Sequence, residues 1–145
     1  MKRFDVVRGA FDIVQRDLED VELLTVWKAS HEDMPLYMNA SDVLVLTSQH
    51  EGSPNAVKEA MACDLPIVAV DVGDVREVVE GTRNCHIAER TPEDLAESLI
   101  HILSRQERSD GRSRIGRLAL DAVAGRVISV YERVLGNSRT CRFPS

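Results

Sequence analysis

The chain has 145 residues, enough for one domain of ordinary size with a core of its own. Hydrophobic residues make up 43% and charged residues 29%, a balance that excludes a disordered chain and reads as a globular one. Lys and Arg number 18 against 24 Asp and Glu, and the net charge of −6 argues against nucleic acid as a partner, whose capture rests on basic phosphate contacts.

In chain order, Phe4 to Asp17 spaces Phe4, Val7, Phe11 and Val14 three and four apart and predicts an amphipathic helix. Val21 to Val26 is short, apolar and bounded by charge, and predicts a strand. Asp33 to Ala40 predicts a short helix with Asp33 as N-cap. Asp42 to Ser48 is nearly continuous apolar sequence, as in a strand covered on both faces. A Gly-Ser-Pro turn leads into a predicted helix from Pro54 to Cys63, with Ser53 as cap and Pro54 as first helical residue. A strand over Pro66–Val70, a short helix over Val75–Glu80 and a strand over Cys85–Glu89 follow. Thr91 caps a helix opened by Pro92 and reaching about Arg105. Arg105 to Arg114 reads as a polar loop, Ile115 to Leu135 as a last long helix, and Gly136 to Ser145 as a flexible tail.

Strands alternating with helices predict an α/β layer with a mainly parallel sheet. Such sheets bind ligands beyond the carboxyl ends of their strands, so the loops after Val26, Ser48, Val70 and Glu89 are where function is expected. The three cysteines, Cys63, Cys85 and Cys141, have no Cys-x-x-Cys spacing, which argues against a disulfide framework or a zinc site. No apolar run approaches the roughly 18–20 residues that span a bilayer, and no signal-like stretch follows the basic start, so a cytoplasmic protein is expected.

One constellation carries chemistry. Gly52 lets a backbone approach a ligand closely, and the helix that follows offers the first-turn amides of Asn55, Ala56 and Val57 to an anion such as a diphosphate. Glu51 lies just before this helix, and Glu59 is four residues past Asn55, leaning back toward the first turn. Carboxylates accept paired hydrogen bonds from vicinal hydroxyls, so two acids flanking a cationic helix start match a phosphate between two polyol ends, the layout of a nucleotide sugar. The alternative is structural, with acids serving a helix start and Glu59 simply solvated. No Gly-x-Gly-x-x-Gly or Gly-Lys-Ser/Thr phosphate loop is present, which argues against dinucleotide oxidoreduction and ordinary ATP hydrolysis.

Glu51-Gly52-Ser53-Pro54-Asn55-Ala56-Val57-Lys58-Glu59-Ala60-Met61-Ala62 resembles the Glu-x7-Glu motif of family 4 (group 1) glycosyltransferases. The similarity runs on through Asp64–Ala69 and Asp71–Glu77, and upstream through Met34–Leu44. It implies a Rossmann-like three-layer α/β/α fold, the donor-binding half of a GT-B architecture, over residues 1–135. It also implies retaining transfer of a hexose from a nucleotide-diphosphate sugar, with neither metal nor other cofactor. By the same resemblance Glu59 holds the ribose, and Glu51 meets the donor hexose as the catalytic-site acid. Gly52, Ser53, Pro54, Asn55 and Ala56 meet the sugar and diphosphate, and Lys2 falls where a diphosphate-binding Lys stands. The Arg that pairs with that Lys has no counterpart here, and the acceptor domain or partner chain is expected outside this sequence. A non-catalytic nucleotide-sugar module or interaction subunit is the alternative.

Two positions depart from the family's frequent glycines: Asp64, where a left-handed turn is tolerable, and Asp74, which brings negative charge near the mouth. Among His31, His50, His86 and His101 only His50 adjoins the site; ordinary packing is the expected role of Trp27, and the alternative is that Trp27 and Lys28 line a nucleobase pocket. Cys63 and Cys85 read as small buried hydrophobes. The last helix carries Ile115, Leu118, Ala119, Ala122, Val123, Val127, Val130 and Val134 as an apolar stripe, a candidate surface for another domain or a homo-oligomer. The sequence names neither the nucleobase, the sugar nor the acceptor.

Overall fold

The computed structural model describes residues 3–138. The expected helix forms as α1 (Phe4–Asp17), but its buried face is Val6, Ala10 and Val14; of the expected stripe only Val14 is buried, Val7 and Phe11 are half-buried and Phe4 is exposed. Helix α2 (Met34–Ala40) leads to strand β1 (Leu44–Leu46), then helix α3 (Asn55–Ala62) to strand β2 (Ile67–Val70). Helix α4 (Val75–Val79) leads to strand β3 (Cys85–Ala88), and helix α5 (Pro92–Leu103) follows. The sheet order is β1-β2-β3, and both pairings are parallel, with Leu44 opposite Ile67 and Ile67 opposite Cys85. This is the Rossmann-like α/β/α architecture expected.

Two layers cover the sheet. Val68 of β2 and Ala88 of β3 pack into a cluster with Val6, Ala10 and Val14 of α1 and Leu95, Ala96, Leu99 and Ile102 of α5. Side chains alternate along a strand, so Ile67 and Ala69 turn to the opposite face. There α3 and α4 bury Val57, Ala60, Met61, Val75, Val78 and Val79. Thr91 Oγ1 accepts from the amide of Asp94 at 3.3 Å, so the expected cap of α5 forms with Pro92 behind it.

Several boundaries differ from expectation for physical reasons. Val21–Val26 forms no strand, because none of the described residues pairs with it. At α2, Asp33 occupies the N-cap position but makes no side-chain cap; Ser30 serves the turn instead, its Oγ accepting from the Asp33 amide at 3.1 Å and donating to the Asp33 carboxylate at 2.8 Å. Part of the expected loop 105–114 is a short helix α6 (Gly111–Ile115), seated against α3 where a Cβ on Gly111 would lie 2.7 Å from the Met61 backbone. Asp64 takes the left-handed conformation expected (φ +52°), and its carboxylate accepts from the Arg112 amide at 2.8 Å, which anchors that segment.

The chain divides into two compact units, residues 1–114 and 115–145. In the second, the expected helix from Ile115 does not start there: a 3-10 turn (Gly116–Leu118) comes first, and Ala119 leaves helical conformation (ψ 147°) before helix α7 (Leu120–Ser138). A helix through Gly116 carries an entropic cost of about 1 kcal/mol relative to Ala. Gly136 to Ser138, assigned to the tail, are helical; residues 139–145, Cys141 among them, lie outside the described residues. Val127, Ile128, Val130, Tyr131, Val134 and Leu135 of α7 are exposed. No described helix is long and apolar enough to cross a membrane.

Candidate functional site

The site is built where β1 ends. Thr47 and Ser48 remain buried after the strand. The chain then turns outward through half-buried Glu51 and exposed Gly52 and Ser53 before Pro54 returns to the interior. Pro54, not Ser53, is the N-cap of α3: its extended backbone (φ −67°, ψ 121°) precedes Asn55, the first helical residue, and no side chain caps the helix. Ser53 does not cap because its hydroxyl donates to the Asp74 carboxylate across the β2–α4 loop. The first-turn amides of Asn55, Ala56 and Val57 therefore point out of the helix with the positive end of its dipole behind them. Exposed Asn55 and half-buried Ala56 border the opening.

A second loop holds the first in place. The Asp74 amide donates to the Gly52 carbonyl at 3.1 Å. Gly73 lies so close beneath that a Cβ would sit 2.3 Å from the Gly52 oxygen and 2.8 Å from the Glu51 oxygen, and its φ is +58°. Only glycine meets both demands without strain. Lys58 Nζ closes the other side at 3.4 Å from the Ser53 carbonyl. The charge of Asp74, expected at the mouth, is instead turned inward onto Ser53, with its Oδ1 buried.

Glu59 stands one turn into α3, its side chain 35% exposed and an oxygen 4.0 Å from Nδ1 of exposed His31. His31 was not among the expected contacts; its neighbourhood arises from the turn at Ser30 that starts α2, which short-range sequence pattern does not encode. Glu51 and Glu59 thus flank the α3 start from the loop side and from the helix side, and His50 beside Glu51 is exposed. Lys2 lies outside the described residues.

The ends of β2 and β3 add groups that residue spacing alone did not single out. Arg90, just past β3, donates from Nη2 to the Ser48 carbonyl at 3.1 Å and ties the third strand end to the first. Asp71 and Arg76 pair at 2.8 Å beside a cleft of about 140 Å³ that also borders Arg90. Their signal in the sequence was positional: each follows the carboxyl end of a strand. A larger cleft of about 310 Å³ opens between Leu24–Ser30 and Tyr37. Trp27 at its rim is 76% exposed, which overturns ordinary packing as its role. Cys63 and Cys85 are half-buried rather than fully buried, and burial pushes the Cys85 thiol up to about 12, out of range for a nucleophile.

Residues 6–105 match the sequence pattern of the family described as Glycosyl transferases group 1. An uncharacterized glycosyltransferase of Methanocaldococcus jannaschii is 31% identical over 96 residues, 66% of this chain and 27% of that protein. Spore coat protein SA of Bacillus subtilis is 32% identical over 111 residues, 70% of this chain and 29% of that protein. Among solved structures, sucrose-phosphate synthase of Thermosynechococcus elongatus, a GT-B enzyme, superposes with a TM-score of 0.69 at 26% identity, over 90% of this chain and 34% of that one. The chain thus spans about 27–29% of the length of these two curated relatives.

Proposed function

Since the chain belongs to the group 1 glycosyl transferases, we propose that residues 1–135 form the donor-binding domain of a retaining, metal-independent hexosyltransferase that uses a nucleotide-diphosphate sugar. The observation that carries this reading is the α3 start: first-turn amides left without a side-chain cap, on a loop fixed from beneath by Gly73 and flanked by Glu51 and Glu59. In this reading the amides of Asn55 and Ala56, with the backbone of Gly52 to Pro54, hold the diphosphate and the adjoining sugar. Glu59 accepts from the ribose hydroxyls, and Glu51 accepts from the hexose and orients it. Lys2 adds charge to the diphosphate. The exposed face of Trp27 suits a nucleobase.

The chemistry needs no protein nucleophile. Negative charge grows on the departing diphosphate, and amides already aimed at it stabilise that charge without reorganising. Backbone dipoles supply this attraction, which is how a chain of net charge −6 serves an anion. The acceptor is bound by a further domain or partner chain, in keeping with the fraction of its relatives that this chain spans. Thermal shifts with UDP-, GDP- and ADP-sugars test the reading: at least one raises the melting temperature of the wild type, and Glu59→Ala abolishes that rise. If no nucleotide sugar stabilises the wild type, donor binding fails as an assignment. Transfer or donor hydrolysis by the chain alone separates an enzyme from a binding module.

A further inference from the structure

The loop before α3 owes its direction to a residue outside it. A trans peptide sets its C=O and its N–H on opposite sides, and every described peptide is trans. The Gly52 oxygen accepts from the Asp74 amide at 3.1 Å. The Glu51 oxygen also faces Gly73, 2.8 Å from where a Cβ would stand. Both carbonyls thus point onto the β2–α4 loop, and the amides of Gly52 and Ser53 turn the other way, toward the opening. Neither amide has a partner among the described residues. Successive amides on one side make a concave donor surface for an anion.

Asp74 holds this arrangement twice. Its main chain takes the Gly52 carbonyl, and its carboxylate takes the Ser53 hydroxyl. Gly52 has no side chain to pack and Ser53 is exposed, so hydrogen bonds alone keep the peptide between them in one orientation. The contact of Lys58 Nζ with the Ser53 carbonyl is longer, at 3.4 Å, and weaker. The hold has a cost, since Asp74 Oδ1 is buried without a partner among the described residues.

We propose that Asp74 is a positioning residue of the donor site: its carboxylate clamps Ser53 and so keeps the Gly52 and Ser53 amides turned to the donor. This rests on the donor-binding reading above. Charge and clamp act in opposite directions, because a carboxylate repels a diphosphate while its hydrogen bond orders the amides that hold one. Asp74→Asn separates them: it still offers an oxygen to the Ser53 hydroxyl, without the charge. The full chain and its variants are titrated with UDP-, GDP- and ADP-glucose by calorimetry. The donor that binds the wild type binds Asp74→Ala and Ser53→Ala about tenfold more weakly, and the double variant no more weakly than either. Asp74→Asn stays within about threefold of the wild type. Ser53 is exposed, so Ser53→Ala reads the clamp even if Asp74→Ala does not fold. If the wild type binds none of the three sugars, the donor reading fails and the clamp with it. If the wild type binds and Ser53→Ala binds equally or more tightly, the clamp alone fails. It also fails if Asp74→Asn loses as much as Asp74→Ala, or if the losses of the two alanine variants add.

Discussion

Strand β2, four apolar residues, and the segment Val21–Val26, four apolar residues with Glu22 and Thr25 among them, both read as strands in the sequence, yet they end in opposite states. Every residue of β2 is buried, and a parallel neighbour flanks it on each side. Val21–Val26 has half-buried and exposed residues in turn and no ladder among the described residues. Strand-forming residues are present in both, so composition alone does not account for the difference. A strand is completed by neighbours that take its peptide groups and by layers that cover its faces, and only β2 has both. The contrast is smaller at the site, because the loops that follow β1, β2 and β3 are tied to one another by hydrogen bonds and the stretch after Val26 approaches them through His31 beside Glu59.

The sharpest way to break this comparison is to empty the centre. Ile67 is fully buried in β2, between β1 and β3 and under the α3–α4 layer. Ile67→Ala is expected to cost about 2–5 kcal/mol, the range for an aliphatic side chain cut back where the surroundings cannot collapse. Urea unfolding checks it. A loss below about 1 kcal/mol means that β2 is not the core strand described.

Next in size is the contact between the loops. Gly73→Ala forces a left-handed alanine, which costs about 1–3 kcal/mol, and drives its Cβ into the Gly52 carbonyl. The loop bearing Glu51 moves with it, so the variant is expected both to melt lower and to lose nucleotide-sugar stabilisation. A variant that melts lower yet keeps full donor response shows that Gly73 serves the fold alone.

How much of this was legible in the sequence follows from the range of each interaction. α1, the cap of α5 and the three paired strands rest on local period and turn chemistry, and they lie within a few residues of expectation. The start of α3 was legible too, but not its cap, because the Ser53 hydroxyl is taken by Asp74, 21 residues away. Arg90 on Ser48, 42 residues apart, was hidden for the same reason, and so was the approach of His31 to Glu59. Val21–Val26 has the composition of a strand, but whether a neighbour pairs with it leaves no trace in its own residues. Glycines were informative where a backbone passes close, at Gly73 and Gly111, and their partners could be found only in three dimensions.

A smaller effect probes the edge strand opposite β1. The ring of His86 of β3 lies 5.2 Å from that of His101 of α5, tilted by 59°. Burial, then the charges of His101 and Arg105, hold its pKa below the ordinary histidine value of 6.5. The folded state thus binds this proton less readily than the unfolded chain. The neutral ring's contribution is fully present above that ordinary value and is lost as the pH falls through it toward the folded pKa. The wild type is expected to lose more melting temperature than His86→Gln as the pH drops from about 7 to about 5. Parallel losses in the two proteins would remove His86 as the source.

The smallest effect is expected in the unpaired segment itself. Leu24 is 52% exposed and has no ladder to break, so Leu24→Ala should change stability by no more than about 0.5 kcal/mol. The contrast with Ile67→Ala then measures what pairing and cover add to the same kind of side chain. Leu24 also borders the cleft at Trp27, so the variant separates two roles. If unfolding is unchanged while the thermal response to a nucleotide sugar falls, the segment lines a ligand site. If unfolding itself shifts by more than about 1 kcal/mol, Val21–Val26 is held by contacts that its exposure hides, and its likeness to β2 is closer than its missing ladder implies.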